Sequence, residues 1–337
     1  MNQRVGKHGM WGVWILAGLI VAGAIPALAQ ERVVVYTTFE QDEIPGNLAA
    51  AKRDMPDLEV KFLRFSTGEL AARVVAEKDN PQADVVWGLA ASRMIELARM
   101  GLLEPYKPAH WDKIPAQFKG ADGTWVAVDL FVGAFGINTA QMQRRNLPVP
   151  RSYKELADPR YKGLVVMPNP TTSGTGMIHV VTVLLTQGEE KGWELLKAID
   201  RNVSEYTKSG GAPGRMAAQG EVPIGMTLDL PILQYKRQNY PVELVWPGEG
   251  TGYDLDSNGL IHGAKNGKAA RRFLDWAISP SAMAEIAKLK VTVPYPGIKP
   301  VGDIPSAENI PLIKLDFGWW AGNVQRLMTE WQARFKR

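Results

Sequence analysis

The eight residues Asn169-Pro170-Thr171-Thr172-Ser173-Gly174-Thr175-Gly176 gather hydroxyls and glycines between an apolar run, Gly163 to Met167, and an apolar stretch that continues through Leu185. A loop of that make-up between a strand and a helix offers free backbone N–H groups, hydroxyl donors and the positive end of a helix dipole. Glycine lets an anion come close to the backbone. The chemistry this suits is anion capture by Ser173, Gly174 and Thr175; ordinary N-capping by Ser173 or Thr172 uses the same residues. Ser66-Thr67-Gly68 repeats the pattern earlier in the chain, and Tyr206-Thr207-Lys208-Ser209-Gly210-Gly211 supplies a third polar, glycine-bearing loop. A tetrahedral oxyanion needs donors from several directions, so Ser66, Thr67, Ser209 and Gly210 join the candidates. Thr37 and Glu40, in the loop Thr37-Thr38-Phe39-Glu40, complete the set.

The far end of a ligand would meet acids. Glu40 follows the first strand, Asp129 lies in the apolar stretch Val126 to Phe135, and Asp229 lies in Leu228-Asp229-Leu230. An acid in an apolar run is costly unless paired. A ligand ammonium is one suitable partner; a structural arginine or a backbone N–H is another. Tyr253 and Asp254 sit where the chain is expected to cross between halves and are placed to close over a ligand. Enzymatic patterns are absent. His110, His179 and His262 are widely spaced and fall in no HExxH pattern, and there is no G-x-S-x-G elbow, P-loop or Rossmann glycine signature. No catalytic residue, metal site or cofactor is expected. The rival class, an exported phosphoester hydrolase, would need a nucleophile beside a base or a metal cluster.

These loops must be positioned by a fold, and the ends of the chain bound it. Arg4 and Lys7 precede an apolar stretch from Trp11 to Ala24, then Pro26 and Ala27-Leu28-Ala29, the pattern of a cleaved export signal. Cleavage after Ala29 is expected, giving a periplasmic protein. The chain has no cysteine, so no disulfide, zinc–thiolate or thiol chemistry is available. The formal charge of +4 includes Arg4 and Lys7 and is too weak to suggest a nucleic-acid partner.

The segments Val33–Thr37, Leu58–Phe65 and Ala83–Leu89 read as strands separated by helices, an order that gives a parallel α/β sheet with right-handed crossovers. A second α/β set begins after Ile137-Asn138-Thr139 and runs to Trp246. In such sheets ligands sit beyond the carboxyl ends of the strands. The expected fold class is therefore α/β with two lobes: a signal peptide at 1–29, lobe one from 30–131, lobe two from 132–254, and the rest of lobe one from 255–337 with a C-terminal helix. Val126–Phe135 and Gly252–Ile261 are the expected crossing strands.

With these segments in view, the chain resembles the two-lobed, type II periplasmic binding proteins of ABC importers, and within them the 2-aminoethylphosphonate-binding branch. The resemblance rests on Tyr36-Thr37-Thr38 with Glu40, Ser66-Thr67-Gly68, Ala76 to Gly88, Gly136 to Thr139, Tyr161-Lys162-Gly163, Met167 to Gly176, Gly188 to Trp193, Tyr206 to Gly210 and Asp316-Phe317. It implies the type II fold with two crossing strands as hinge and a monomer that delivers a small anionic ligand to membrane permease subunits. It also implies a phosphonate held by Ser66, Thr67, Ser173, Gly174, Thr175 and Ser209, with the amine met by Glu40, Asp229 or Asp254. Ferric-ion relatives use adjacent tyrosines, and this chain has no Tyr-Tyr pair. Two departures stand out: Gly211 where that branch tends to carry a serine, and Leu228-Asp229-Leu230 where it carries an acid with an aromatic neighbour. Sugar phosphates and other organophosphates therefore remain open.

Overall fold

The β-branched and aromatic run that opens the sheet, β1 (Glu31–Thr37), buries Val33, Val35 and Tyr36 on both its faces. The computed structural model describes residues 31–302 and 304–335; the signal segment and its cleavage point lie outside them. After β1 come α1 (Ile44–Asp54), β2 (Leu58–Arg64), α2 (Thr67–Ala76), β3 (Val85–Ala90) and α3 (Ala91–Arg99). β1 pairs in parallel with β2 on one side and β3 on the other. Pro45 stands in the first turn of α1, where its missing N–H costs nothing.

The short β4 (Leu103–Glu104) leads to β5 (Val126–Asn138), thirteen residues that are all buried. The second lobe then comprises α4 (Thr139–Arg144), α5 (Tyr153–Leu156), β6 (Val165–Pro168), α6 (Gly174–Gln187), α7 (Glu189–Asp200), β7 (Val203–Thr207), α8 (Ala212–Gln219), β8 (Ile224–Leu228), α9 (Asp229–Arg237) and β9 (Val242–Val245). The chain returns through β10 (Tyr253–Ile261), α10 (Gly267–Ala277) and α11 (Pro280–Ile286), and ends in α12 (Phe317–Arg334).

Strands follow the order β2-β1-β3-β10-β5-β8-β6-β7, with β4 on β10 and β9 on β5. β5 belongs to both lobes. Its first half pairs with β10, from Asn258 opposite Val126 to Tyr253 opposite Val132. Its second half pairs with β8 and β9, beginning with Gly133 opposite Leu228. β10 is thus wholly a first-lobe strand, and the return crossing is the preceding segment, 246–252, rather than Gly252–Ile261. There Gly133 N donates to Gly252 O at 3.0 Å and Gly252 N to Thr182 Oγ1 at 2.9 Å.

The C-terminal helix, expected with lobe one, is shared. Trp320, Val324, Leu327, Trp331 and Phe335 join the core built on α6, α7 and β6 of the second lobe. The same helix lies along α3, where Gln325 donates to Glu96 at 2.9 Å. Its polar side also reaches α7, through the ion pair of Arg326 with Glu189. An amphipathic helix with apolar residues at near-helical spacing can serve two surfaces at once, and spacing alone does not say which.

His179 lies fully buried on α6. Tyr153 Oη donates to its Nδ1 at 2.7 Å, and its Nε2 donates to Thr227 O at 3.0 Å. Burial pushes its pKa down to about 4, with the bond to Thr227 opposing. The folded imidazole therefore resists a proton that the unfolded chain accepts near the ordinary value, so its stabilising contribution is complete above that value and is lost as pH falls toward 4. His179→Gln keeps a donor and an acceptor without titrating. Thermal unfolding at pH 7.5 and pH 5 is expected to show wild type losing its advantage over this variant at the lower pH; an unchanged difference would mean the imidazole is not held neutral.

Candidate functional site

The N-terminus of α2 begins at Ser66, which caps the helix, with Glu69 three residues on closing a capping box. The N-terminus of α6 begins at Ser173, whose Oγ accepts from Gly176 N at 3.3 Å. Capping and a place at the cleft thus coincide in the same hydroxyls. These two termini come from different lobes and touch. Gly68 N donates to Thr172 O at 2.9 Å, and a methyl group on Gly68 would lie 2.4 Å from the carbonyl oxygen of Thr171.

Beside this contact lies a small cleft of about 30 Å³. Of the residues singled out from sequence, Glu40, Ser66, Thr67, Ser173, Thr175, Ser209 and Gly210 line it. Gly174 is not among the lining residues; a methyl group on it would lie 3.0 Å from Thr67 Oγ1. Gly210 lets Thr175 approach closely: a methyl group there would lie 2.1 Å from Thr175 Oγ1. The cleft wall thus carries hydroxyls from three loops and two cations, Arg64 and Lys208.

Four candidates lie elsewhere. Thr37 is buried, its Oγ1 accepting from Phe39 N at 3.2 Å, and the neighbouring Thr38 lines the cleft instead. Asp229 opens α9 and accepts from Val132 N at 3.3 Å; burial raises its pKa to about 6. Asp254 accepts from Ser92 Oγ at 2.7 Å and is raised by burial to about 7. Tyr253 packs edge-on against Phe317. Each acid found a partner inside the protein, the alternative that its place in an apolar run left open.

Asp129 is not part of the cleft wall but belongs to a cluster at its floor. Register places it opposite Asp256 on β10, and Glu43 completes a group whose carboxylate oxygens lie within 4.8 Å of one another. That is the spacing of a cation site, and the cation it holds is the Lys290 ammonium, at 2.8 Å from Glu43, 2.9 Å from Asp256 and 3.3 Å from Asp129. Phe39 and Phe131 lie against the same ammonium. Burial alone would depress the Lys290 pKa, but the three carboxylates outweigh it and hold the group charged. Burial, then the charge of Asp256, pushes Asp129 well above the usual carboxylate range, and burial takes Glu43 to about 7. Both oxygens of Asp129 lack a hydrogen-bond donor.

Sequence reading missed Glu43, Asp256 and Lys290. Lys290 sits in the run Ala287 to Val293 with no motif around it, and Asp256 becomes visible only when β10 is paired with β5. The cleft is therefore dipolar, with hydroxyls and cations toward the loops and three carboxylates against one lysine at the floor.

If the contact at Gly68 defines the closed cleft, Gly68→Ala should weaken solute binding by about tenfold or more, because the obstructing atom is backbone and cannot swing aside. The helix itself should gain stability, since Ala is favoured over Gly by up to about 1 kcal/mol. Calorimetric titration paired with thermal unfolding checks both; wild-type affinity would show that the two helix ends need not touch.

Comparison with known proteins agrees with this architecture. Residues 80–317 match the family of bacterial extracellular solute-binding proteins. An uncharacterized protein of Haemophilus influenzae is 37% identical over 271 residues, covering 79% of this chain and 77% of its own. A probable ABC transporter periplasmic-binding protein of Sinorhizobium fredii is 29% identical, with 80% and 76% covered. Among solved structures, the periplasmic binding protein AfuA of Actinobacillus pleuropneumoniae with exogenous fructose-6-phosphate bound superposes with a TM-score of 0.85 at 28% identity, covering 90% of this chain and 98% of that one. The periplasmic binding protein P5PA gives 0.83 at 27%, with 90% and 99% covered. The chain has the two-lobed type II fold and belongs to the bacterial extracellular solute-binding protein family.

Proposed function

We propose that this protein is the periplasmic binding component of an ABC importer and captures a small organophosphorus oxyanion that also carries a cationic amine, with 2-aminoethylphosphonate the best fit. The observation that carries this is the dipolar cleft. Ser66, Thr67, Ser173 and Thr175 bring hydroxyls from both lobes to one place, with Arg64 and Lys208 beside them, while Ser209 donates to Glu40. Hydrogen bonds to a charged group contribute roughly 1.5–3 kcal/mol each, so a few of them reach the roughly 8 kcal/mol of micromolar binding after ordering costs. At the floor, three carboxyl groups share one lysine; burial lifts Asp129 and Glu43 so that they take up protons, and a ligand ammonium would favour loss of those protons and pair with the carboxylates so formed. Glu43 and Asp256 line the cleft and in this reading take the amine-binding role that the resemblance implied for Glu40, Asp229 or Asp254.

A second reading is a sugar phosphate. It is favoured by the likeness to AfuA with fructose-6-phosphate bound, and Glu43 and Asp256 serve equally as acceptors for sugar hydroxyls. In either case the solute bridges both lobes, is held as a monomeric complex and is handed to membrane permease subunits; no step of catalysis is invoked.

Calorimetric titration with 2-aminoethylphosphonate, fructose 6-phosphate and inorganic phosphate separates the readings. Tight binding of the aminophosphonate alone supports the first, and tight binding of the sugar phosphate alone transfers the anion site to the second. The double variant Ser173→Ala/Thr175→Ala should weaken whichever solute binds by at least about tenfold, the scale of one charge-assisted hydrogen bond, while leaving the melting temperature near wild type. Unchanged affinity would place the anion elsewhere.

A further inference from the structure

Four donors converge on Glu40, and three of them stand on the opposite lobe. Its carboxylate accepts from Ser209 Oγ at 3.0 and 3.1 Å and from Gly211 N at 3.0 Å, and it pairs with Arg215 at 3.3 Å. Arg64, on its own lobe, completes the set at 3.3 Å. Glu40 follows β1 in the first lobe, whereas Ser209, Gly211 and Arg215 follow β7 in the second. The residue is 8% exposed, so these bonds form largely out of water, where charge-assisted contacts are stronger than at a surface.

An independent observation concerns Gly211. A side chain there would put its first carbon 3.0 Å from the Glu40 carboxyl carbon and 2.9 Å from an Arg215 guanidinium nitrogen. Glycine there leaves room for the Glu40 carboxylate and the Arg215 guanidinium, which would have to give way by a few tenths of an ångström to a larger residue.

We propose that Glu40 is an interlobe latch: a positioning residue that holds the lobes closed through Ser209, Gly211 and Arg215 and does not read the charge of the solute. Closure then has a favourable protein–protein contribution of its own, and the solute need supply less differential affinity to complete it. Removing one member of such a buried set leaves the others without their partner and shifts the balance toward separation.

The chain has no native cysteine, so a pair of spin labels can be placed without other changes. Lys52 on α1 and Lys197 on α7 are exposed and lie on different lobes. The Lys52→Cys/Lys197→Cys protein, measured by pulsed electron resonance with no solute added, is expected to show a closed-distance population. Glu40→Gln and, from the other side of the contact, Gly211→Ser should each deplete it. A distance distribution that neither variant changes, or a background with no closed population, overturns the latch. Affinities for 2-aminoethylphosphonate and for amine-free ethylphosphonate should fall together in Glu40→Gln, by about tenfold. A loss confined to the amine-bearing probe would instead make Glu40 an ammonium acceptor and sink the proposal. Because the distance readout needs no solute, failure of both phosphonates to bind would count against the proposed function while leaving the latch to be judged on distances alone.

Discussion

A single strand must satisfy its backbone in two sheets at once, and the rest of the molecule is arranged around that demand. β5 is buried along its whole length, so none of its N–H and C=O groups can turn to water. Its first half finds partners on β10 and its second half on β8 and β9. The pairing fixes the first lobe's acids and the second lobe's loops in one frame. Asp129 is carried to Asp256 by register, and Leu228, at the end of β8, arrives at the cleft beside Phe131.

Much of this could be read from the chain. The hydroxyl-rich loops announced themselves because their composition is local: Ser66 and Ser173 cap helices whose apolar runs follow at once, and both stand at the cleft. Strand and helix order in the first lobe followed from alternating apolar runs. What escaped was non-local. Asp229 looked like a ligand contact because it is an acid in an apolar run, Asp254 because it stands at the expected crossing and Thr37 because it opens the loop after the first strand, yet each bonds within the protein, to Val132, Ser92 and Phe39. Glu43, Asp256 and Lys290 come from three distant segments, and no spacing connects them. Gly252–Ile261 was expected to be a crossing strand; it is a strand, but it pairs with β3 and with the first half of β5, so the chain crosses just before it, and that pairing is non-local.

The Lys290 cluster joins stability to recognition. Four ionisable groups buried together are expensive unless their charges compensate, and here one ammonium faces three carboxylates. Proton uptake by Asp129 and Glu43 brings the group nearer neutrality, which is why burial lifts both. In the proposed reading, Glu43 and Asp256 are the members of this group that a positive group or a hydroxyl donor would meet at the cleft floor. Glu40, in contrast, has two arginines and stands outside that imbalance.

The C-terminal helix has a mechanical meaning. The lobes are joined by β5 and by segment 246–252, two links that lie side by side, since Gly133 and Gly252 are hydrogen-bonded to each other. Two adjacent links alone would permit bending in several directions. α12 adds a third tie, resting on α3 at Glu96 and gripping α7 at Glu189. Three attachments that are not collinear turn a loose joint into a linkage with one easy coordinate. Lobe motion along that coordinate would bring the loops at Ser66 and Ser173 together in the same alignment each time.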